Sequence, residues 1–160
     1  MFLWLTGYMA NSQYTASGGG SNFICLTNNV TYDTYPSPQE GTNIYGTKYY
    51  TSFQGFKNNL NEHLALCAVC YTAYRGSQIM VPATKECPIG WTVEYRGYLM
   101  SGHYDNHHSS EFVCVDEEAE PGGTSFGDGA VLYVVQGLCD PLSCKPFVNG
   151  RQLACVVCTK

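Results

Sequence analysis

Nine cysteines in 160 residues are the densest chemistry in this chain, and their spacing repeats. Cys67-Ala-Val-Cys70 and Cys155-Val-Val-Cys158 form two CxxC pairs. A single cysteine stands 42 residues before the first pair, at Cys25, and 41 before the second, at Cys114. Cys87 opens a CPIG sequence, and Cys139 and Cys144 lie five apart. Thiols at this density serve either as disulfides in an oxidising compartment or as zinc ligands. Two CxxC knuckles fit a zinc ribbon, but that reading leaves five cysteines without a role. The disulfide reading accounts for nearly all of them. A redox CxxC needs a thioredoxin-like βαβ setting, which the sequence lacks.

The cysteine spacing belongs to a larger repetition. GYMANSQYTASGGGSNFIC, ending at Cys25, matches GYLMSGHYDNHHSSEFVC, ending at Cys114. The offset is 90 from Tyr8 to Tyr98 and from Tyr14 to Tyr104, 89 from Cys25 to Cys114, and 88 from Cys67 to Cys155. Such constancy indicates a tandem duplication. Repeat one spans 1–71 and repeat two 87–160; 72–86 connects them without linker character, so the two are expected to pack as one pseudo-twofold body. A duplicated unit repeats its bonds, which predicts Cys25–Cys67 and Cys114–Cys155. Cys87 then takes Cys158, and Cys139 closes a small loop with Cys144. Cys70 is left over, because the register carries the counterpart of Cys87 ahead of Met1. Met1–Tyr8 therefore reads as a folded strand rather than an export signal, with the signal expected upstream or removed.

Repeat two also carries side chains that repeat one does not. In His103-Tyr-Asp-Asn-His-His108, an extended backbone would put His103, Asp105 and His107 on one face, with Glu111 nearby, as ligands for a divalent metal. Repeat one has Gln13, Thr15 and Ser17 there, and the composition favours a solvated polar loop. The acidic run Asp116–Glu120, with Asp128 beyond it, offers oxygen ligands without the spacing of a calcium loop, so a solvated turn is expected. The Tyr/Ser/Gly/Asn-rich segments Tyr8–Asn22 and Tyr98–Ser110 resemble binding loops, with Tyr14 and Tyr104 as candidates to stack on a ligand or to serve as core aromatics. Asn29-Val-Thr31 is a glycosylation sequon. Hydrolase, metalloprotease and phosphate-loop motifs are missing; neither enzymatic activity nor a resident cofactor is expected.

These residues must be positioned by strands. Charged residues are 13% of the chain, while Tyr and Phe number 13 and 7, a composition suited to strands and polar turns. Period-two alternation marks Trp91–Tyr98, and its counterpart Phe2–Leu5 is apolar enough to be covered on both sides. Short strands are expected at Phe23–Leu26, Gln78–Val81, Phe112–Val115 and Ala130–Val135, with Leu64–Cys70 and Gln152–Cys158 closing the repeats. Tyr35–Gly41, Glu120–Gly129 and Asp140–Gly150 read as loops, and Phe56–His63 carries a weak helix signal. The expected fold class is all-β: two disulfide-stapled β-rich subdomains with long loops. A net charge of −5 without a Lys/Arg cluster excludes a nucleic-acid footprint, and no apolar run is long enough for a membrane-spanning helix.

CPIGWTVEYRGYLM, SEFVCVDEE, the twice-used C-[AV]-V-C and the terminal CVVCTK together resemble the C-terminal non-collagenous domain of invertebrate short-chain (spongin-type) collagens. That domain is itself similar to the duplicated C-terminal non-collagenous domain of type IV collagen. The resemblance covers nearly the whole chain. It implies a secreted, disulfide-bonded, β-rich domain that assembles with copies of itself or with matrix proteins. It also implies that the CPxG cysteine pairs with the second CxxC cysteine and the mid-strand cysteine with the first, as for Cys87–Cys158 and Cys114–Cys155. The chain departs from that pattern in having no Gly-X-Y repeat and no CPxG in repeat one. A soluble lectin-like module that binds glycans through its Tyr-rich loops is the alternative expectation.

Overall fold

A computed structural model describes residues 1–35 and 40–160; residues 36–39, inside the expected Tyr35–Gly41 loop, lie outside the described residues. The fold is all-β, and no helix occurs among the described residues. The strands are β1 Phe2–Asn11, β2 Ile24–Thr27, β3 Tyr45–Tyr49, β4 His63–Tyr71, β5 Gln78–Pro82 and β6 Thr92–Ser101. They continue as β7 Val113–Asp116, β8 Pro121–Thr124, β9 Ala130–Val134, β10 Gln136–Gly137, β11 Arg151–Gln152 and β12 Ala154–Thr159. Ten of them share one sheet, running β2-β1-β4-β3-β9-β6-β12-β5, with β7 on β6 and β8 on β4. β10 and β11 form a separate ribbon.

The ladders of the two halves run in matching register. In the first half, β1 pairs with β4 as Gly7↔Cys67, Leu5↔Val69 and Leu3↔Cys70, slipping between Leu3 and Leu5. In the second, β6 pairs with β12 as Gly97↔Cys155, Tyr95↔Val157 and Val93↔Cys158, with the slip at the same place. Gly7↔Thr27 and Met9↔Cys25 reappear as Gly97↔Asp116 and Leu99↔Cys114. The halves join where β3 runs parallel to β9, Thr47 beside Ala130 and Tyr49 beside Leu132. β8, from the second half, also pairs with β4 of the first.

Four disulfides form: Cys25–Cys67, Cys114–Cys155 and Cys87–Cys158 on this sheet, and Cys139–Cys144 within a turn region outside it. The first and third of these loops span 42 and 71 residues. Cys25–Cys67 and Cys114–Cys155 have the same Cα–Cα separation, 5.7 Å, because each bridges the two strands flanking the central strand of its half. Four disulfides in one chain indicate folding in an oxidising environment.

The core forms where the halves meet. Tyr49, Phe56, Leu60 and Ala65 from the first pack with Met100, Val115 and Leu132 from the second. Phe53, Phe56 and Tyr98 meet edge-on, with centroids 4.7–6.0 Å apart, an arrangement that favours aromatic quadrupoles beyond simple burial.

Three sequence expectations need correction. Phe56–His63 is not helical, although Phe56 and Leu60 are both buried at the helical i, i+4 spacing. Its asparagines bind backbone elsewhere: Asn58 Nδ2 donates to Ala119 O, and Asn61 Oδ1 accepts from Thr51 N. Such side chains outcompete the helical ladder. The Glu120–Gly129 loop contains β8, whose Gly122 permits close approach to the Leu64 carbonyl at 2.8 Å from an added Cβ. Finally, Phe2–Leu5 is not covered on both sides. Phe2, Leu3 and Trp4 are 57%, 63% and 73% exposed.

Candidate functional site

Both Tyr-rich loops lie at the same junction, but they clasp one another instead of standing apart. His108 N donates to Tyr14 O at 3.2 Å and Glu111 N to Ser21 O at 3.1 Å. Phe23 N in turn donates to the Glu111 carboxylate at 2.7 Å, and a ring nitrogen of His108 lies 2.8 Å from Gly20 O. These bonds, made mostly by backbone groups, join the two halves. Tyr14 is half-buried in this joint, whereas Tyr104 is 87% exposed. The duplicated tyrosines therefore have different roles.

An open cleft of about 170 Å³ lies along the second loop, lined by Ser101–Tyr104, Asn106 and His108–Ser110. Its rim carries an aromatic run that crosses the halves. Tyr104 packs on His103 with centroids 4.2 Å apart, His103 on Tyr133 at 4.9 Å, and Tyr133 on Tyr50 at 5.3 Å. Burial raises the Tyr133 phenol pKa above its ordinary value, so this phenol is neutral at physiological pH.

The metal-ligand expectation fares differently. A turn at Tyr104–Asp105 breaks the extended backbone on which the alternation of His103, Asp105 and His107 depended. His103 Nδ1 accepts from Asp105 N at 3.2 Å, and the nearest Asp105 carboxylate oxygen is 4.0 Å away. Among the described residues, no three His, Cys, Asp or Glu side chains are grouped to hold a metal. The acidic run has other partners: Glu117 pairs with Lys85 and Glu118 with Lys57. Lys85 also lies 4.9 Å over the Tyr98 ring, and its hydrogen bond to Glu117 raises its pKa.

Among the described residues the first half has an uncovered edge, beside the Cys70 that the sequence leaves without a partner. In the second half, β5 covers the outer side of β12, and Cys155–Cys158 are at most 5% exposed. Glu94, at the register slip, accepts from Thr159 Oγ1 at 2.5 Å and from Arg75 Nη2 at 2.9 Å, with its side chain 6% exposed. In the first half the slip residue is Trp4, and no described strand pairs with β4 beyond Ala65 on that side. Cys70 is the one free cysteine among the described residues. A signal was present in the sequence: the odd cysteine and MFLW standing where repeat two has WTVE.

Glu94 yields a pH prediction. The Thr159 hydroxyl, followed by Arg75, holds its carboxyl below the ordinary glutamate range. A depressed folded-state pKa means this stability is complete above the unfolded value of about 4.3 and fades as pH falls through the folded one. Glu94→Gln is expected to cost roughly 1–3 kcal/mol at pH 7 and to lose that difference in acid. Urea midpoints of both proteins at pH 7 and in acid measure it; a pH-independent gap would contradict the assignment. Tyr95 shows the opposite behaviour. Burial raises its phenol to about 12, so it stays protonated and donates to Cys114 O at 2.9 Å.

Asn29 and Thr31 of the sequon are exposed just beyond β2. No helix among the described residues is long and apolar enough to cross a membrane. No protein-family model matches this chain, and no solved structure matches it.

Proposed function

We propose that the protein is a secreted, non-enzymatic interaction domain of extracellular-matrix type, related to the short-chain collagen non-collagenous domains its motifs resemble. The observation that carries this reading is the exposure of Met1, Phe2, Leu3 and Trp4 on β1 and its approach and of Tyr71 at the end of β4, each more than half exposed on a disulfide-stapled sheet. Phe2 and Tyr71 already stack at 5.4 Å. A preformed aromatic pair loses little entropy on association, and several large apolar side chains exposed together mark a contact surface. The partners are copies of the chain or matrix proteins, and Asn29 is the site for a glycan.

Sedimentation velocity over a concentration series, repeated with Trp4→Glu, tests the reading. Association is expected to weaken roughly tenfold or more in the variant. Trp4 is already exposed, so folding should be unaffected. Association that ignores Trp4 would displace these side chains from this role.

A lectin-like module is the second reading, favoured by Tyr104 beside the polar cleft. Exposed aromatic faces stack on sugar rings, and Asn and Ser supply hydrogen bonds at low entropic cost. Glycan-array binding that free sugar competes away and Tyr104→Ala abolishes would support it. A flat array alongside concentration-dependent association would favour assembly.

A further inference from the structure

We infer that the aromatic run beside the second Tyr-rich loop is an extended subsite for a neutral oligosaccharide, which seats one sugar in the cleft against Tyr104 and continues across the joint to Tyr50. This deepens the lectin-like reading above and rests on it.

The run exists only because the two halves meet. In the second half Ser101 stands opposite Tyr133, as Asn11 stands opposite Tyr45 in the first. Tyr50 comes from the other half. It follows β3, which lies parallel to β9, and its N–H donates to Leu132 O at 2.9 Å. Held there, the Tyr50 ring meets Tyr133 with centroids 5.3 Å apart. Tyr133 leads on to His103 at 4.9 Å, and His103 to Tyr104 at 4.2 Å. In the first half Gln13 stands where the second has His103, and Tyr14 is half-buried, so the run is not repeated there.

Exposure decides which rings a ligand can reach. The inner members, His103 and Tyr133, are half-buried, whereas the ends, Tyr104 and Tyr50, are 87% and 51% exposed. Each step along the run is close to the length of one sugar ring. A chain of sugars can therefore set its apolar C–H faces against successive aromatic rings, whose electron-rich faces attract them.

The cleft supplies the polar half of the site. Its volume of about 170 Å³ is of the order of a single hexose. Its walls are tied in place: Ser101 Oγ donates to Glu111 O at 3.0 Å, and Gly102 N donates to Ser110 Oγ at 2.8 Å. A side chain at position 102 would break this closure, because an added Cβ would meet Ser110 Oγ at 2.7 Å. Among the described residues no hydrogen bond engages the side chains of Asn106 and Ser109, which line the same cleft. An amide and a hydroxyl both donate and accept, which matches the hydroxyls of a sugar. Walls fixed in advance reduce the ordering cost of binding.

Charge selects among glycans. The cleft lining contains no Lys, Arg, Asp or Glu. Lys48, whose charge reaches Tyr133, is already paired with Glu62 at 2.8 Å. The Asp105 side chain, beside His103, is 74% exposed, and the chain as a whole carries −5. A sulfated or uronic-acid glycan would meet a carboxylate here and no lysine or arginine in the cleft to pair with. A neutral glycan meets neither problem.

Calorimetric titration of the 160-residue protein with uncharged tetrasaccharides of glucose, mannose and N-acetylglucosamine, each beside its monosaccharide, tests the site. At least one tetrasaccharide is expected to bind about tenfold tighter than its monosaccharide, since one further ring contact is worth about that much. Tyr50→Leu keeps apolar bulk but removes the ring. It is expected to abolish the tetrasaccharide's advantage and leave the monosaccharide unchanged, whereas Tyr104→Ala weakens both. Full tetrasaccharide affinity in Tyr50→Leu, with Tyr104→Ala still damaging, would confine the ligand to the cleft: the lectin-like reading would stand and the extended subsite would fall. Binding to none of these sugars would remove both and leave assembly. A heparin tetrasaccharide that binds more tightly than every neutral one would overturn the neutral class. Free chains and protein-borne glycans share this chemistry, so the tetrasaccharide that binds is also presented on a carrier protein. Preference for the carried form would assign the subsite to protein-borne glycans, and equal binding would assign it to free chains.

Discussion

Gly97→Ala is expected to destabilise the protein by about 2–4 kcal/mol, and Gly7→Ala to act in the same way on the first half. An added Cβ at Gly97 would coincide with the Val115 carbonyl oxygen, and one at Gly7 with the Leu26 carbonyl oxygen. These neighbours are backbone, so no rotamer change relieves the overlap; the flanking strand must move. Gly97 is also fixed from both sides, opposite Cys155 on one strand and Asp116 on the other, and Cys155 is tied to Cys114 by a disulfide. Gly76→Ala is the control, since nothing lies within 4 Å of its added Cβ, and should stay within about 0.5 kcal/mol. Urea midpoints of the three variants decide the matter. A wild-type midpoint for Gly97→Ala would mean that β6 and β7 do not approach as described.

The second large effect concerns the bridges. Removing Cys114–Cys155 by double alanine substitution is expected to cost about 4 kcal/mol from loop-closure entropy alone, and removing Cys139–Cys144 about 2 kcal/mol. The difference follows from sequence separations of 41 and 5. Packing should widen it, because Cys155 is fully buried whereas Cys144 is exposed. In melting temperature the larger effect corresponds to roughly 8–16 °C for a chain of this size. Equal shifts for the two double variants would indicate that the short loop orders more of the molecule than its exposure suggests.

Much of the fold was legible before the structure. The strand centres at Phe23–Leu26, Gln78–Val81 and Ala130–Val135 were marked by β-branched and aromatic runs and lie within about two residues of the observed strands. Strand ends were less legible: β1 and β6 continue to Asn11 and Ser101, where pairing with β3 and β9 holds them. Phe56–His63 carries helical spacing in its apolar residues but asparagines that seek other partners, a competition local pattern cannot resolve. The site was legible in part. Tyr104 is exposed beside a cleft, while Tyr14, identical in the repeat, is half-buried in the joint with the opposite loop. Two equal residues in equal registers diverge because they face different neighbours.

The sequence alone determined the all-β class and the pairs Cys25–Cys67 and Cys114–Cys155. Each follows from periodicity and spacing, which local chain geometry converts directly into register. Tertiary structure alone decided how the halves merge through parallel β3 and β9, which loops clasp, and where burial fails. Among the described residues it leaves Trp4 and the outer edge of β4 open where Glu94 and β12 are covered. Covering an edge requires a second segment to arrive from elsewhere, and no residue carries in its own neighbourhood the information of whether one does.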